Sequence, residues 1–245
     1  MNYILLAKFL AAFSALSAGT SIVATRFLIS DADPHSMAVI RFGIGALCLI
    51  PFLVSGIRRN PISISDWPMV TLLGALLFGL FTFLFNASLV YTTSAHAAVG
   101  LATSPIITLV LAWVLGREAM TTIKMLCVVL GFLGVAVAVS DTLIGHGSSK
   151  SVLLGDSLML MAALIVSIYS IFAKPYIMKY GGIYFTSVVM LIGVVCLTAV
   201  CQLIGKPVQI PDFSMIDWSV MAFLGVIGAA IQFTSYIWAL GRITP

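Results

Sequence analysis

Eight apolar runs, at roughly 3–28, 35–56, 67–91, 95–115, 121–140, 152–173, 183–204 and 218–240, recur along the chain. Each is long enough to cross a bilayer core, which takes about 20 helical residues. Polar punctuation separates them at 31–34, 58–61, 117–121, 145–150, 179–182 and 205–211, and the connection at 91–95 is tight and uncharged. Unbroken apolarity predicts helices, because barrel strands would alternate polar and apolar residues. Charged side chains make up 8% of the chain against 61% hydrophobic ones, too few to cover a water-facing globule. The predicted fold class is therefore an all-α polytopic membrane protein.

Charge placement predicts the orientation. An N-terminus in the cytoplasm puts Lys8, Arg58, Arg59, Arg117, Lys124, Lys174, Lys179 and Arg242 on that side, against Arg26, Lys150 and Lys206 on the other, with Arg41 inside a span. Cytoplasmic loops carry the excess of Lys and Arg, and an even number of spans returns the C-terminus to the same side. A multi-pass protein of the cell (inner) membrane with both termini cytoplasmic is expected. Trp67 and Trp218 open their runs beside Asp66 and Asp217, as interfacial anchors do. The net charge of +4 implies no nucleic-acid partner, since the basic residues are scattered singly. Cys48, Cys127, Cys196 and Cys201 fall in apolar stretches without C-x-x-C spacing, so they are expected as small buried hydrophobes. No metal site or cofactor is predicted. Small residues around 15–19 resemble a signal-peptide cleavage site, but the positive region before them is weak and the segment recurs later in the chain.

That recurrence is an internal repeat. At a shift of 151, Ser63, Asp66, Trp67, Leu73, Gly74, Leu89 and Thr93 fall on Ser214, Asp217, Trp218, Leu224, Gly225, Leu240 and Thr244. At shifts of 149 and 148, Ser21–Ala24 meets Ser170–Ala173 and Ile44–Leu49 meets Ile192–Leu197. A tandem duplication follows, with copies at 1–148 and 149–245. The first copy holds five spans, an odd number, so the second must enter the membrane from the opposite side. Inverted repeats of this kind place a substrate site near the midplane where the copies meet. Pro245 aligns with Ser94, leaving nothing to match 95–148, so the expectation is eight helices of a ten-helix protein cut short at its C-terminus, with a natural eight-helix form as the alternative.

The segment 86–140 resembles the drug/metabolite transporter superfamily, specifically its EamA-type permeases. Carrying the resemblance are Ser88, Leu89, Thr93 and Ser94 at a helix end, Ser104-Pro105 in mid-helix, the L-G-x-E-x-x-T run of Leu115, Gly116, Glu118 and Thr121, and the glycine-rich stretch with Gly131 and Gly134. Pro34 with Arg41-Phe42 is similar to the family's P-x(6)-R-F pattern, and Gly155-Asp156 to its start of the second copy. One departure is Ala18, where the family usually carries tryptophan before Gly19. The resemblance implies export or uptake of small metabolites by alternating access, gradient-coupled or facilitative. Partners would be a small-molecule metabolite and the lipid bilayer, with a coupling proton and homodimerisation left open.

Polar residues inside the spans are the candidate site. A charge in mid-membrane costs at least about 2.5–3.5 kcal/mol, which singles out Arg41, either as an anchor for a substrate carboxylate or phosphate or as a structural residue that snorkels. Asn86 and Gln232 lie on counterpart spans and are expected to face each other, binding substrate or each bonding across helices. Ser21 and Tyr169, with their hydroxyl neighbours, occupy counterpart positions suited either to the cavity or to close packing, and Thr103 is placed in the cavity wall. Pro105 is a candidate hinge. Three bland readings complete the set: Glu118 pairing with Arg117 at a helix end, Asp156 capping a helix, and His96 as a lone interfacial residue.

No G-x-G-D, G-x-S-G, metal cluster or phosphate loop is present, so an enzyme is not expected. The reading is a transporter, most simply an exporter, of amino acids or similar metabolites. A non-transporting structural or regulatory protein, or a flippase of lipid-linked substrates with the same fold, are the alternatives.

Overall fold

A computed structural model describes residues 3–28, 33–144, 150–203, 205 and 207–242, with backbone only at 3, 135–136, 138–144 and 150. The loops expected at 31–34 and 145–150, together with Lys206, Thr244 and Pro245, fall wholly or partly outside these residues. Eight long apolar helices make up the described part: α1 (Tyr3–Leu28), α2 (Pro34–Arg59), α3 (Ile64–Tyr91), α4 (Ser94–Val114), α5 (Thr122–Ile144), α6 (Lys150–Tyr180), α7 (Gly182–Leu203) and α8 (Met215–Leu240). Seven are long and apolar enough to cross a membrane among the described residues; α5 is a shorter apolar stretch on that basis, Thr122–Gly134.

Local chemistry sets the helix starts. Asp33 accepts a bond from Ser36 N at 2.9 Å while Pro34 takes the first position of α2, where its missing N–H costs nothing. Ser214 and Asp217 form a reciprocal capping box at the head of α8. Two helices outrun the apolar runs read from sequence: α2 reaches Arg59 through Pro51, and α6 continues through Pro175 to Tyr180. Basic side chains at both ends suit the negative pole of the macrodipole.

Counterpart helices run in opposite directions. The N-terminal turn of α2 carries Ser36, whose Oγ accepts from Gln209 N at 3.2 Å, just before α8 begins. Past the far end of α2, Asn60 Nδ2 donates to Lys179 O at 3.1 Å, just before α3 begins. With a rise of about 1.5 Å per residue these two ends stand about 39 Å apart, so α3 and α8 start from opposite faces of the bundle. The inverted arrangement expected from the odd span count is thus visible in the packing.

The core forms where α2, α3, α6, α7 and α8 converge, around Phe42, Phe78, Phe85, Tyr169, Phe185 and Phe233. A smaller cluster of Leu28, Met37, Met221 and Leu224 seals the end at which α8 starts. Phe42, Phe78 and Phe233 meet edge-on or tilted with centroids 4.9–5.7 Å apart, a stable aromatic geometry. The outer faces carry large apolar side chains such as Leu47, Leu126, Phe132 and Val195, as lipid solvation requires. Cys48 and Cys127 belong to those outer faces and only Cys201 is fully buried, which corrects the expectation that all four cysteines are buried. Hydrophobicity alone does not separate a lipid-facing position from a core one.

Two features break helical regularity. In α3, 75–81 winds as a π-helix, and in α8 so does 226–231. Their starts differ by the 151 residues of the sequence repeat, so the irregularity is part of the duplicated architecture. In α4 the helix breaks at Thr103, with Pro105 opening its second segment.

Candidate functional site

A π turn widens a helix and redirects its carbonyl ladder, which is why such turns favour functional sites. Both π segments adjoin one small cavity of about 30 Å³ between α1, α2, α3, α4 and α8. Ser21, Arg41, Thr82, Asn86 and Gln232 supply its polar wall, and Ala18, Ile22, Phe42, Phe81, Phe85, Leu101 and Phe233 its apolar wall. The space exceeds the roughly 10–15 Å³ one water needs, so it admits water-sized groups in this conformation.

Arg41 is 7% exposed and holds the centre of the polar side. Its Nη2 donates to Gly228 O in the π segment of α8 at 2.6 Å, and its Nη1 to Thr25 Oγ1 at 3.3 Å. Nε has no acceptor among the described residues, and no carboxylate lines the cavity. Ser21 Oγ donates to Gln232 Oε1 at 3.2 Å, joining α1 of the first copy to α8 of the second. Asn86 Nδ2 donates to Pro34 O at 3.1 Å, so the two amides share the cavity without bonding each other.

Four of the sequence candidates, Ser21, Arg41, Asn86 and Gln232, are therefore brought together. Tyr169 and Thr103 are not on the cavity wall. Tyr169 is fully buried in the core without a partner for its hydroxyl, and Thr103 donates to Gly100 O at 2.6 Å at the break in α4. Ser104 O, beside Pro105, receives the hydroxyls of Thr108 and Ser167 at 2.7 and 2.9 Å. The break is thus stitched to α6.

Polar clasps close the contact between the copies at both ends. On the face where α3 starts, Lys179 pairs with Asp66 at 2.7 Å, and Tyr180 donates to the same carboxylate at 2.5 Å while receiving Ser63 N at 3.1 Å. On the other face Asp156 accepts from Thr92 at 2.6 Å and meets His96 Nδ1 at 3.3 Å. His96 is therefore not alone, and Asp156 lies beyond the first turn of α6, which begins at Lys150, so the expected cap is corrected to a contact between helices. Arg26 of α1 donates nearby to Leu89 O. Glu118 pairs with Lys124 across the turn into α5, which corrects the expected Arg117 partner; Arg117 donates instead to Ile171 O at 3.0 Å and lies 4.8 Å over Phe172. Sequence reading missed Gly228, Thr25 and the Asp156–His96 contact, since none follows from spacing along one helix. Gly228 could have been found by its place three residues after Gly225, the repeat partner of Gly74.

The EamA-like transporter family model matches residues 5–140 and again 153–245. An uncharacterized transporter of Clostridium kluyveri is 27% identical over 86% of this chain and 68% of its own length. The uncharacterized transporter YyaM of Bacillus subtilis is 24% identical over 90% and 72%. A protein of Streptantibioticus cattleyicolor named "Probable terminal-alkyne amino-acid exporter" is 26% identical over 77% of this chain and 61% of its own. A crystal structure of a protein with 20% identity superposes with a TM-score of 0.68 over 96% of this chain and 79% of that one, which shows a shared fold.

Proposed function

The chain belongs to the EamA-like transporter family, and from that premise we propose that it exports small amphipathic metabolites, amino acids or close relatives, across the cell (inner) membrane. Alternating access would rock one copy against the other about the cavity, with both termini in the cytoplasm. The observation that carries this reading is the cluster of Ser21, Arg41, Asn86 and Gln232 around a space shared by both copies. Such groups are costly in lipid unless they serve a site. The two clasps support the mechanism, because each ties one copy to the other at one face only, and opening either would admit solvent from that face. The relative named as an amino-acid exporter supports the cargo class. In proteoliposomes, a panel of labelled amino acids and related acids should show flux above that of protein-free vesicles for at least one member; a broad panel without any flux would refute the transporter reading.

A further inference from the structure

Arg41 poses an electrostatic problem that the described residues leave unsolved. A guanidinium keeps its charge under all ordinary conditions, and taking it out of water is expensive unless an anion and a full set of acceptors repay the cost. Here the acceptors are a carbonyl and a hydroxyl, both neutral, and Nε has none. Among the described residues no Asp or Glu is on the cavity wall. The charge is therefore poised for an anion arriving from outside the chain.

Resting on the transporter reading, we propose that the cargo is an organic monoanion, a carboxylate with an apolar body whose carboxylate sits on Arg41 and whose body lies against Phe42, Phe85 and Phe233. The planar guanidinium fork suits two carboxylate oxygens, and one fixed positive charge is neutralised by one negative charge. An ammonium group on the same molecule would enter a wall whose acceptors are neutral, with the Arg41 charge close by. Amino-acid-like cargo is thus favoured where the α-amino group is absent or uncharged. Gly228 makes the seat possible. A Cβ there would stand 2.5 Å from Ser21 Oγ and 3.3 Å from Arg41 Nη2, so a side chain at 228 would displace the two groups beside which the carboxylate would sit.

Three probes of matched shape separate the charge classes: 3-phenylpropionate, phenylalanine and phenethylamine, each titrated against the full chain in nanodiscs with binding read by calorimetry and thermal stabilisation. The acid should bind roughly tenfold or more tighter than the amine, the weight of one charge-assisted hydrogen bond, and roughly tenfold or more tighter than the zwitterion, whose ammonium would be a second unpaired buried cation beside Arg41. Arg41→Gln should erase that preference, Gly228→Ala should weaken the acid without favouring the amine, and Arg41→Lys should retain part of it because the charge stays while the fork is lost. The ranking in the unaltered protein needs no variant to fold. Equal or tighter binding of phenylalanine or the amine, no binding of the acid at millimolar concentration, or an unchanged acid affinity in a folded Arg41→Gln protein would each overturn the proposal. Flux of some other metabolite in the vesicle panel would in those cases leave the transporter reading standing.

Discussion

The bundle contains the same helix crossing twice, once where α2 meets α8 and once where α7 meets α3. In the first, a Cβ at Gly45 would stand 3.3 Å from Gly225 O, and one at Gly225 would stand 3.2 Å from Arg41 O. In the second, a Cβ at Gly193 would stand 2.9 Å from Gly74 O, and one at Gly74 would stand 2.8 Å from Val189 O. At the offsets of 148 and 151 these are the same four positions, so the backbones approach in the same way. What differs is the side chain: Arg41 in one crossing, fully buried Val189 in the other. Gly228 likewise has Leu77 as its counterpart, and Ser21, which reaches across to Gln232, has Ser170, which bonds Tyr236 of its own copy at 2.5 Å. Small residues let the helices close in both places, and in one of them a charge, Arg41, stands on a cavity wall.

The largest effect is expected when the second crossing is given the charge of the first. Val189→Arg would bury a guanidinium at a fully buried position where Leu77 stands in place of the glycine at 228. A loss of about 3–5 kcal/mol is expected, the usual weight of an uncompensated buried charge. Denaturant unfolding in detergent, read by helix content, measures it. A stable Val189→Arg protein would show that the two crossings are not distinguished by charge accommodation.

Next in size is the steric test. At Gly193 the added Cβ would overlap Phe78, a bulky residue fixed in the aromatic core, whereas at Gly45 it meets Ala229 Cβ at 3.0 Å. Gly193→Ala should cost about 1–3 kcal/mol through overpacking, and Gly45→Ala less, partly offset by the better helix propensity of alanine. Thermal midpoints of the two variants in the same detergent decide the order.

A smaller effect is expected from Tyr236→Phe, which removes the hydroxyl bond to Ser170. The cost should be about 1 kcal/mol, with flux unchanged, because that bond lies off the cavity wall. Equal stability with altered flux would extend the site into α6.

Much of this was legible in the sequence because lipid imposes a crude and reliable code. Eight apolar runs became eight helices, and the offsets linking Trp67 to Trp218 and Gly74 to Gly225 became crossings of the same geometry. Arg41 was legible for the same reason, as a charge where charges are costly. Asn86 and Gln232 were legible as amides on counterpart spans, although they share a cavity without bonding each other, and Ser21 was open between cavity and packing. Tyr169 and Thr103 fell elsewhere because a polar residue on a buried helix can face the core as well as a cavity, and the one-dimensional pattern does not distinguish them. The π segments were invisible, since Ala75–Phe81 and Val226–Ile231 read as ordinary apolar helix, yet they carry Gly228 O to Arg41. The contact of His96 with Asp156 joins residues 60 apart in sequence, beyond the reach of any helical spacing.

The smallest change in stability is expected at Arg41, the residue proposed to hold the cargo. Arg41→Val gives the first crossing the residue of the second. It removes the bond to Gly228 O and the weaker one to Thr25, but it also removes the cost of holding a cation in a wall of neutral groups. Replacing buried charge by well-packed apolar groups is often neutral or stabilising, so the net change should stay within about 1 kcal/mol, with either sign. Flux, in contrast, should fall to the level of protein-free vesicles for every cargo the unaltered protein carries. The two readouts together separate a site from a strut: a residue kept for folding would lower stability along with flux, and one kept for cargo lowers flux alone. A large loss of stability in Arg41→Val would place Arg41 with the glycines, as part of how the helices close.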